Sequence, residues 1–218
     1  NSQELKEYYK KYKKVFDIAC LEFLNSNYEQ KLIHAGASFT NDRQTFFTIL
    51  FFDETITIKL PDISFKSSKN ANITLVAKIM MLHYINASSG KPLSGEMITY
   101  EDIPGLRGYQ PVFEKRTSKP LLSAFGMDRY AFLDAGIGLG GIKNDYGDAS
   151  FTLYAFPKVP ITFILWEGTD EFPPSLKILF DSTIPDYLPL EDITIITKLA
   201  STRIIKQARI NYSDADTE

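Results

Sequence analysis

The chain has 218 residues, with 24 basic and 27 acidic side chains and a formal net charge of −3. That balance excludes a basic, phosphate-driven nucleic-acid binder, so no nucleic-acid partner is expected. With 44% hydrophobic, 13% aromatic and 23% charged residues, the chain can bury a full core and lacks the composition of extended disorder.

The length suits one domain over residues 1–212, with two sublobes at about 1–90 and 91–212 as a variant of that organisation. No apolar run reaches the roughly 18 residues that a spanning helix needs, so no membrane span is expected. The single cysteine, Cys20, has no internal disulfide partner and cannot by itself hold zinc or an iron–sulfur cluster. A reducing cytoplasm is therefore the expected location, and no metal site is expected. Glycosylation-type triplets at Asn72, Asn86 and Asn211 occur at about the chance rate for this composition and do not alter that expectation. The sequence starts at Asn1 rather than Met, which leaves a preceding leader open.

From Gln3 to Leu24, Tyr8, Tyr12, Val15, Phe16, Ala19 and Phe23 recur at spacings of three and four, which predicts an amphipathic helix. Its five early lysines, Lys6 to Lys14, interleave with Glu4 and Glu7, so a solvated face is favoured over an anion site. Thr45–Phe52 and Thr55–Leu60 read as a hairpin turning at Asp53 and Glu54, with Ile56, Ile58 and Leu60 on its dry face and Pro61 ending the ladder. Asn72–Asn86 is apolar on several sides and predicts a buried helix packed on that hairpin.

Ala87–Lys119 is rich in Gly, Pro, Ser and charge, with one strand-like run at Met97–Tyr100; it reads as a long connector suited to hold a site. Pro120–Phe125 and Asp128–Leu139 read as short helices, the second capped by Asp128 and stopped by glycines. Phe151–Phe156, Ile161–Trp166 and Leu176–Phe180 read as strands, and the second, apolar on both faces, as a central one. After Pro189, Ile193, Ile196, Ala200 and Ile204 form a helical stripe to about Ala208. The acidic residues 213–218 are expected to be disordered. The fold class is α+β: mixed, mainly antiparallel sheet packed with N-terminal, central and C-terminal helices.

Several residues invite chemistry. Gly136, Gly138, Gly140 and Gly141 resemble a dinucleotide loop, but they close a helix instead of opening one after a strand. His83 falls on the buried helix; its imidazole can ligate a metal or a tetrapyrrole, against the more frequent role of a hydrogen-bonded structural residue. The candidate acids and bases are Glu96, Glu101, Asp102, Asp145, Asp148, Glu167, Asp170, Glu171, Asp181, Asp186 and Asp192. Asp102, Asp170 and Asp181 border turns, which favours turn formation. Glu167 stands out because it follows a central strand and precedes Gly168, although hairpin capping competes with a functional role. Arg107, Lys115, Arg116 and Lys119, among Gly105, Gly108, Tyr109 and Phe113, can bind a carboxylate or phosphate; an ordinary charged loop is the competing reading.

Eight phrases then stand in order: Lys91–Glu96 (KPLSGE), Asp102–Gly105 (DIPG), Lys119–Leu121 with Ala124–Gly126, Gly147–Phe151, Pro157–Pro160, Leu165–Gly168 with Glu171–Pro174, Leu179–Asp181, and Tyr187–Pro189 with Glu191 and Asp192. Over about Val76 to Ile205 the chain resembles the family catalogued as domain of unknown function 3786, from anaerobic bacteria and archaea. The resemblance implies a cofactor-handling or electron-transfer accessory role, since the family is associated with corrinoid-dependent anaerobic metabolism and some relatives look like fusions to a small iron–sulfur domain. This chain lacks that cysteine-rich part, and Asp186 stands where the family pattern often has His.

Together these readings lead to the expectation of a binding protein, not an enzyme, for a small anionic or tetrapyrrole (corrinoid or haem-type) cofactor. The expected site residues are Arg107, Tyr109, Arg116, Trp166, Glu167 and His83. Two alternatives stay open: a carboxylate-based, metal-dependent enzyme, and a module that docks a redox or methyltransferase partner.

Overall fold

The computed structural model describes residues 2–39 and 45–217. The fold is α+β, and the chain divides into two compact units. The first comprises Asn1–Pro92, Phe156–Lys158 and Asp186–Pro189, the second Leu93–Ala155, Val159–Pro185 and Leu190–Glu218.

In the first unit, helix α1 (Ser2–Leu24) has the span its periodicity predicts. Its stripe is buried only at the C-terminal end, at Ala19 and Phe23, while residues 2–11 are all exposed. Helix α2 (Tyr28–His34), too short to carry a readable period, is capped by Asn27, whose side chain accepts from the Gln30 amide. A four-stranded sheet follows in chain order: β1 (Ser38–Phe39), β2 (Phe46–Phe51), β3 (Glu54–Lys59) and β4 (Ser64–Ser67). The β2–β3 register pairs Phe51 with Glu54, so the two-residue loop is Phe52–Asp53, one residue earlier than the sequence pattern places it. Glu54 belongs to the ladder because it is buried there, its carboxylate accepting from the Ser67 hydroxyl at 2.7 Å.

Helix α3 (Leu75–Ala87) starts at Thr74, whose hydroxyl accepts from the Ala77 amide at 3.2 Å. It packs on α1 and α2. Tyr84 is its anchor. The ring stacks on Phe156 at 4.2 Å and 4°, and Phe156 in turn meets Phe51 at 5.4 Å. The Tyr84 hydroxyl donates to the Ala35 carbonyl at 2.7 Å and accepts from the Lys158 amide at 3.1 Å. Burial pushes this phenol well above the ordinary tyrosine range.

The second unit is built on a five-stranded sheet of order β5-β9-β8-β7-β6, with β5 (Met97–Thr99), β6 (Ile142–Asn144), β7 (Ala149–Phe156), β8 (Val159–Trp166) and β9 (Ser175–Asp181). Strand β8 is the middle strand, as its two apolar faces predict. The connector is less irregular than its composition suggests. After β5 it forms a 3-10 turn at Arg107–Tyr109 and then α4 (Gln110–Arg116), which runs into α5 (Ser118–Phe125). The only buried side chain of α4 is Phe113, too little for a periodic signal. Its ring stacks on Tyr100 at 4.1 Å and meets Phe180 edge-on at 6.1 Å.

Helix α6 (Arg129–Gly138) is capped by Asp128, and α7 (Leu190–Ala215) extends beyond the end of the apolar stripe. Residues 213–215 of the acidic end are thus helical, 216 and 217 form a turn, and Glu218 lies outside the described residues. An aromatic series, Phe125–Phe132–Phe151–Phe163, joins α5 and α6 to the sheet. A Cβ on Gly136 would lie 2.4 Å from the Phe151 ring, so this glycine serves helix–sheet packing.

Asp181 closes β9. Only 6% exposed, its carboxylate accepts from the Gly95 amide at 2.8 Å, the Ser94 amide at 3.1 Å and hydroxyl at 3.2 Å, and the Thr183 amide at 3.1 Å and hydroxyl at 2.5 Å. Burial opposes ionisation, but the Thr183, Ser94 and Gly95 hydrogen bonds outweigh it and hold the carboxyl below its usual value.

Tyr84→Phe keeps the ring stack but removes the hydroxyl that serves the buried Ala35 carbonyl and the Lys158 amide, and lowers the urea-unfolding free energy by about 1–3 kcal/mol. Asp181→Asn turns an amide group toward several donors and costs about 3 kcal/mol at pH 7. Because the folded pKa lies below the unfolded one, near 3.9, the stabilisation is present above that pH and is lost as pH falls through the folded value. Unfolding midpoints measured from pH 7 to pH 2.5 should converge for wild type and Asp181→Asn at the acid end.

Candidate functional site

The start of α6 is held by carboxylates from two segments. Asp128 accepts from the Ala131 amide at 3.0 Å, and Glu167, just past the end of β8, accepts from the Arg129 amide at 2.8 Å. Two of the amides that a helix start leaves unpaired are thereby satisfied from within, and the helix dipole already faces negative charge. The Arg129 side chain lies over the Tyr130 ring, its Cζ 5.1 Å from the centroid, and donates to the Tyr130 hydroxyl at 3.2 Å. That hydroxyl, and behind it the charges of Glu167 and Asp148, hold the guanidinium protonated above its already high pKa.

The β6–β7 loop supplies the opposite wall. Gly147 has φ of 56°, and a Cβ there would meet Ile164 Cγ2 at 2.7 Å, the Leu165 carbonyl at 2.8 Å and Trp166 Cε2 at 3.3 Å. Only glycine lets the loop lie this close to the end of β8. The Asp148 amide donates to the Leu165 carbonyl at 2.9 Å, and the Asp148 carboxylate accepts from the Glu167 amide at 2.8 Å. Asp148, Glu167 and Arg129 thus form a chain in which each carboxylate holds the next segment's backbone.

Between α6 and this loop lies a cleft of about 340 Å³, lined by Arg129, Tyr130, Leu133 and residues 143–149. It holds charges of both signs, Arg129 and Lys143 against Asp145 and Asp148. Tyr130 and Tyr146 are exposed on its wall, and Trp166, 39% exposed, adjoins Gly147.

Of the residues singled out from sequence, Trp166 and Glu167 adjoin this cleft, and Asp145 and Asp148 line it. Arg107, Tyr109 and Arg116 do not line it; they are exposed on the 3-10 turn and on α4. His83 is half-buried on α3, in the first unit. Asp102 caps its own turn, accepting from the Thr99 hydroxyl at 2.7 Å and amide at 3.1 Å, bonds that hold its carboxyl below the usual range. Among the described residues, no group of three or more His, Cys, Asp or Glu side chains is placed to hold a metal ion. Burial pushes the Cys20 thiol up, away from a reactive thiolate.

Sequence reasoning missed Arg129, Tyr130, Lys143 and Tyr146. Asp128 as N-cap was legible and places Arg129 in the first turn of α6. The three-residue strand β6, which carries Lys143, is too short to give a period.

A family model described as "Domain of unknown function (DUF3786)" matches residues 27–203. That reaches further toward the N-terminus than the resemblance starting near Val76, and it leaves α1 and the last turns of α7 outside. No curated protein and no solved structure matches the chain. The phrases, the α+β fold and a family match over most of the chain agree: this protein belongs to the DUF3786 family.

Proposed function

We propose that this protein is an accessory binding protein, not an enzyme, and that the cleft between α6 and the β6–β7 loop takes a small polar ligand with an anionic group. The observation that carries this reading is the paired charge of one cleft: Arg129 and Lys143 suit a carboxylate or phosphate, and Asp145 and Asp148 suit an ammonium or hydroxyl on the same molecule. Tyr130 and Tyr146 give such a ligand flat walls. A volume of about 340 Å³ is at the small end of ligand pockets, roughly 300–1,000 Å³.

The tetrapyrrole version of the expectation fits this cleft less well. The lining contains no His, Cys or Met, so a haem or corrinoid here would lack those axial side chains and would have only the Tyr130 and Tyr146 phenols. Protein purified without oxygen and mixed with haem or cobalamin should show an unshifted visible spectrum if the small-ligand reading holds, and a shifted one if a tetrapyrrole is the ligand.

The carboxylates favour binding over acid/base chemistry, because Glu167 and Asp148 are engaged with the Arg129 and Glu167 amides. Glu167→Gln keeps an acceptor but removes the charge at the start of α6. It should lower stability by about 1 kcal/mol in urea unfolding while ligand affinity changes little. An unchanged unfolding midpoint together with complete loss of a turnover would assign Glu167 to catalysis instead.

The binding reading itself is tested by thermal-unfolding scans of the full chain with amino acids, short dicarboxylic acids, sugar phosphates and aliphatic amines. At least one zwitterion or anion should raise Tm by several degrees, and Lys143→Glu should remove the rise while leaving the ligand-free Tm unchanged. No rise with any compound, or a rise that survives Lys143→Glu, overturns the proposal.

A further inference from the structure

The apolar stripe of α1 does not end where the core ends. Leu5, Tyr8, Tyr12, Phe16, Ala19 and Phe23 are spaced three or four apart and share one face of the helix. At one end Phe23 and Ala19 are core, and Phe16 is half-buried with its ring 6.3 Å from that of Phe65. At the other end Leu5 is 69% exposed, Tyr8 55% and the adjacent Tyr9 61%. The Tyr8 and Tyr12 rings touch at 4.3 Å, so the exposed stretch is a continuous surface of aromatic and aliphatic side chains. A solvated helix has no use for such a surface, and the early part of α1 gains nothing from the core that buries its later part.

The charge on the same stretch is also one-sided. Glu4 to Lys14 contains five lysines and two glutamates, a net of +3 in a chain whose formal charge is −3. On a helical projection Lys6, Lys11 and Lys13 flank the apolar stripe, while Lys10 and Lys14 stand opposite it. Lys13 pairs with Asp17 one turn on, and Lys6, Lys10 and Lys11 lie nearer the N-terminus. Apolar side chains on one face, tyrosines among them, and lysines along the flanks and back make a helix that lies in a membrane interface. The rings sit at headgroup level and the lysine stems reach up to phosphates. Pairing with a second copy of α1 is disfavoured, because it brings two like-charged segments together. The stretch also lies outside residues 27–203, so the surface is not a property of the family-matched part of the chain.

We propose that the exposed first half of α1 docks the protein on an anionic lipid surface, with Leu5, Tyr8, Tyr9 and Tyr12 at the headgroup boundary and the lysines on acidic headgroups. The attachment is peripheral, since no helix among the described residues is long and apolar enough to cross a membrane. It is independent of the ligand proposed for the cleft.

Vesicle flotation with the full chain tests it. Wild type should float with vesicles of phosphatidylcholine mixed with phosphatidylserine and stay behind with phosphatidylcholine alone. Raising the salt from about 0.05 to 0.5 M should reduce the bound fraction roughly tenfold as the Debye length shrinks. Leu5→Glu and, separately, a Lys6→Gln/Lys10→Gln/Lys11→Gln variant should each abolish flotation without changing Tm, because all four side chains are exposed. Failure to float, or equal flotation with both lipids, overturns the proposal. So does a dimer in sedimentation equilibrium that Leu5→Glu dissociates, since the face would then belong to a second copy.

Discussion

Backbone amides at the ends of strands and helices lose their acceptors when water is excluded, and in this protein side-chain carboxylates replace them. Asp181 holds the Ser94, Gly95 and Thr183 amides, Asp148 the Glu167 amide, Glu167 the Arg129 amide, Asp128 the Ala131 amide and Asp102 the Thr99 amide. The second unit depends on these junctions because its sheet has short edge strands, β5 and β6, that cannot fix their connections by ladder bonds alone. A charged acceptor is stronger than a neutral one and points in a defined direction, so a few such bonds set the path of the connections as well as their stability. Four of the eleven candidate acids and bases, Asp102, Asp148, Glu167 and Asp181, are occupied in this way.

This also changes the meaning of the phrases on which the family resemblance rests. Ser94-Gly95 and Leu179-Phe180-Asp181 lie far apart in sequence yet form one clasp. Gly147-Asp148 and Trp166-Glu167-Gly168 form another. The Gly168 amide donates to the Gly126 carbonyl at 2.8 Å, which draws Ala124-Phe125-Gly126 into the same junction. Loop residues that look functional because they fall outside periodic core positions thus have a structural cause. The charge at the cleft is a better argument for binding than the clustering of phrases in loops, because Lys143 and Asp145 line the cleft without taking part in any of these clasps.

What could be read in advance follows from the physics of each signal. Elements with a long period were legible: α1, α3, α7 and the central strand β8 each repeat an apolar position often enough to stand out. Short elements without a repeated apolar position were not. Helix α4 is buried only at Phe113, and β6 has three residues, so the connector looked irregular and the wall of the cleft was missed. The hairpin turn was misplaced by one residue because Glu54 reads as a turn residue in sequence, whereas Ser67, thirteen residues later, makes it a buried strand residue. At the site, Trp166 and Glu167 were legible because a strand end followed by glycine is a local feature. Arg129 was not, because its position depends on Glu167, a partner 38 residues away.

Burial and periodicity usually agree, and α1 is where they part. The stripe from Leu5 to Phe23 obeys one period throughout, but only its last turns meet a core. Sequence periodicity reports that a face is apolar; it does not report what covers that face. Within the family-matched residues Phe151 and Phe163 are covered by α6 and the neighbouring strands. Outside them, the same pattern with lysines on its flanks and back calls for a surface that is both apolar and negative, which an anionic bilayer provides and the chain's own solvated face does not.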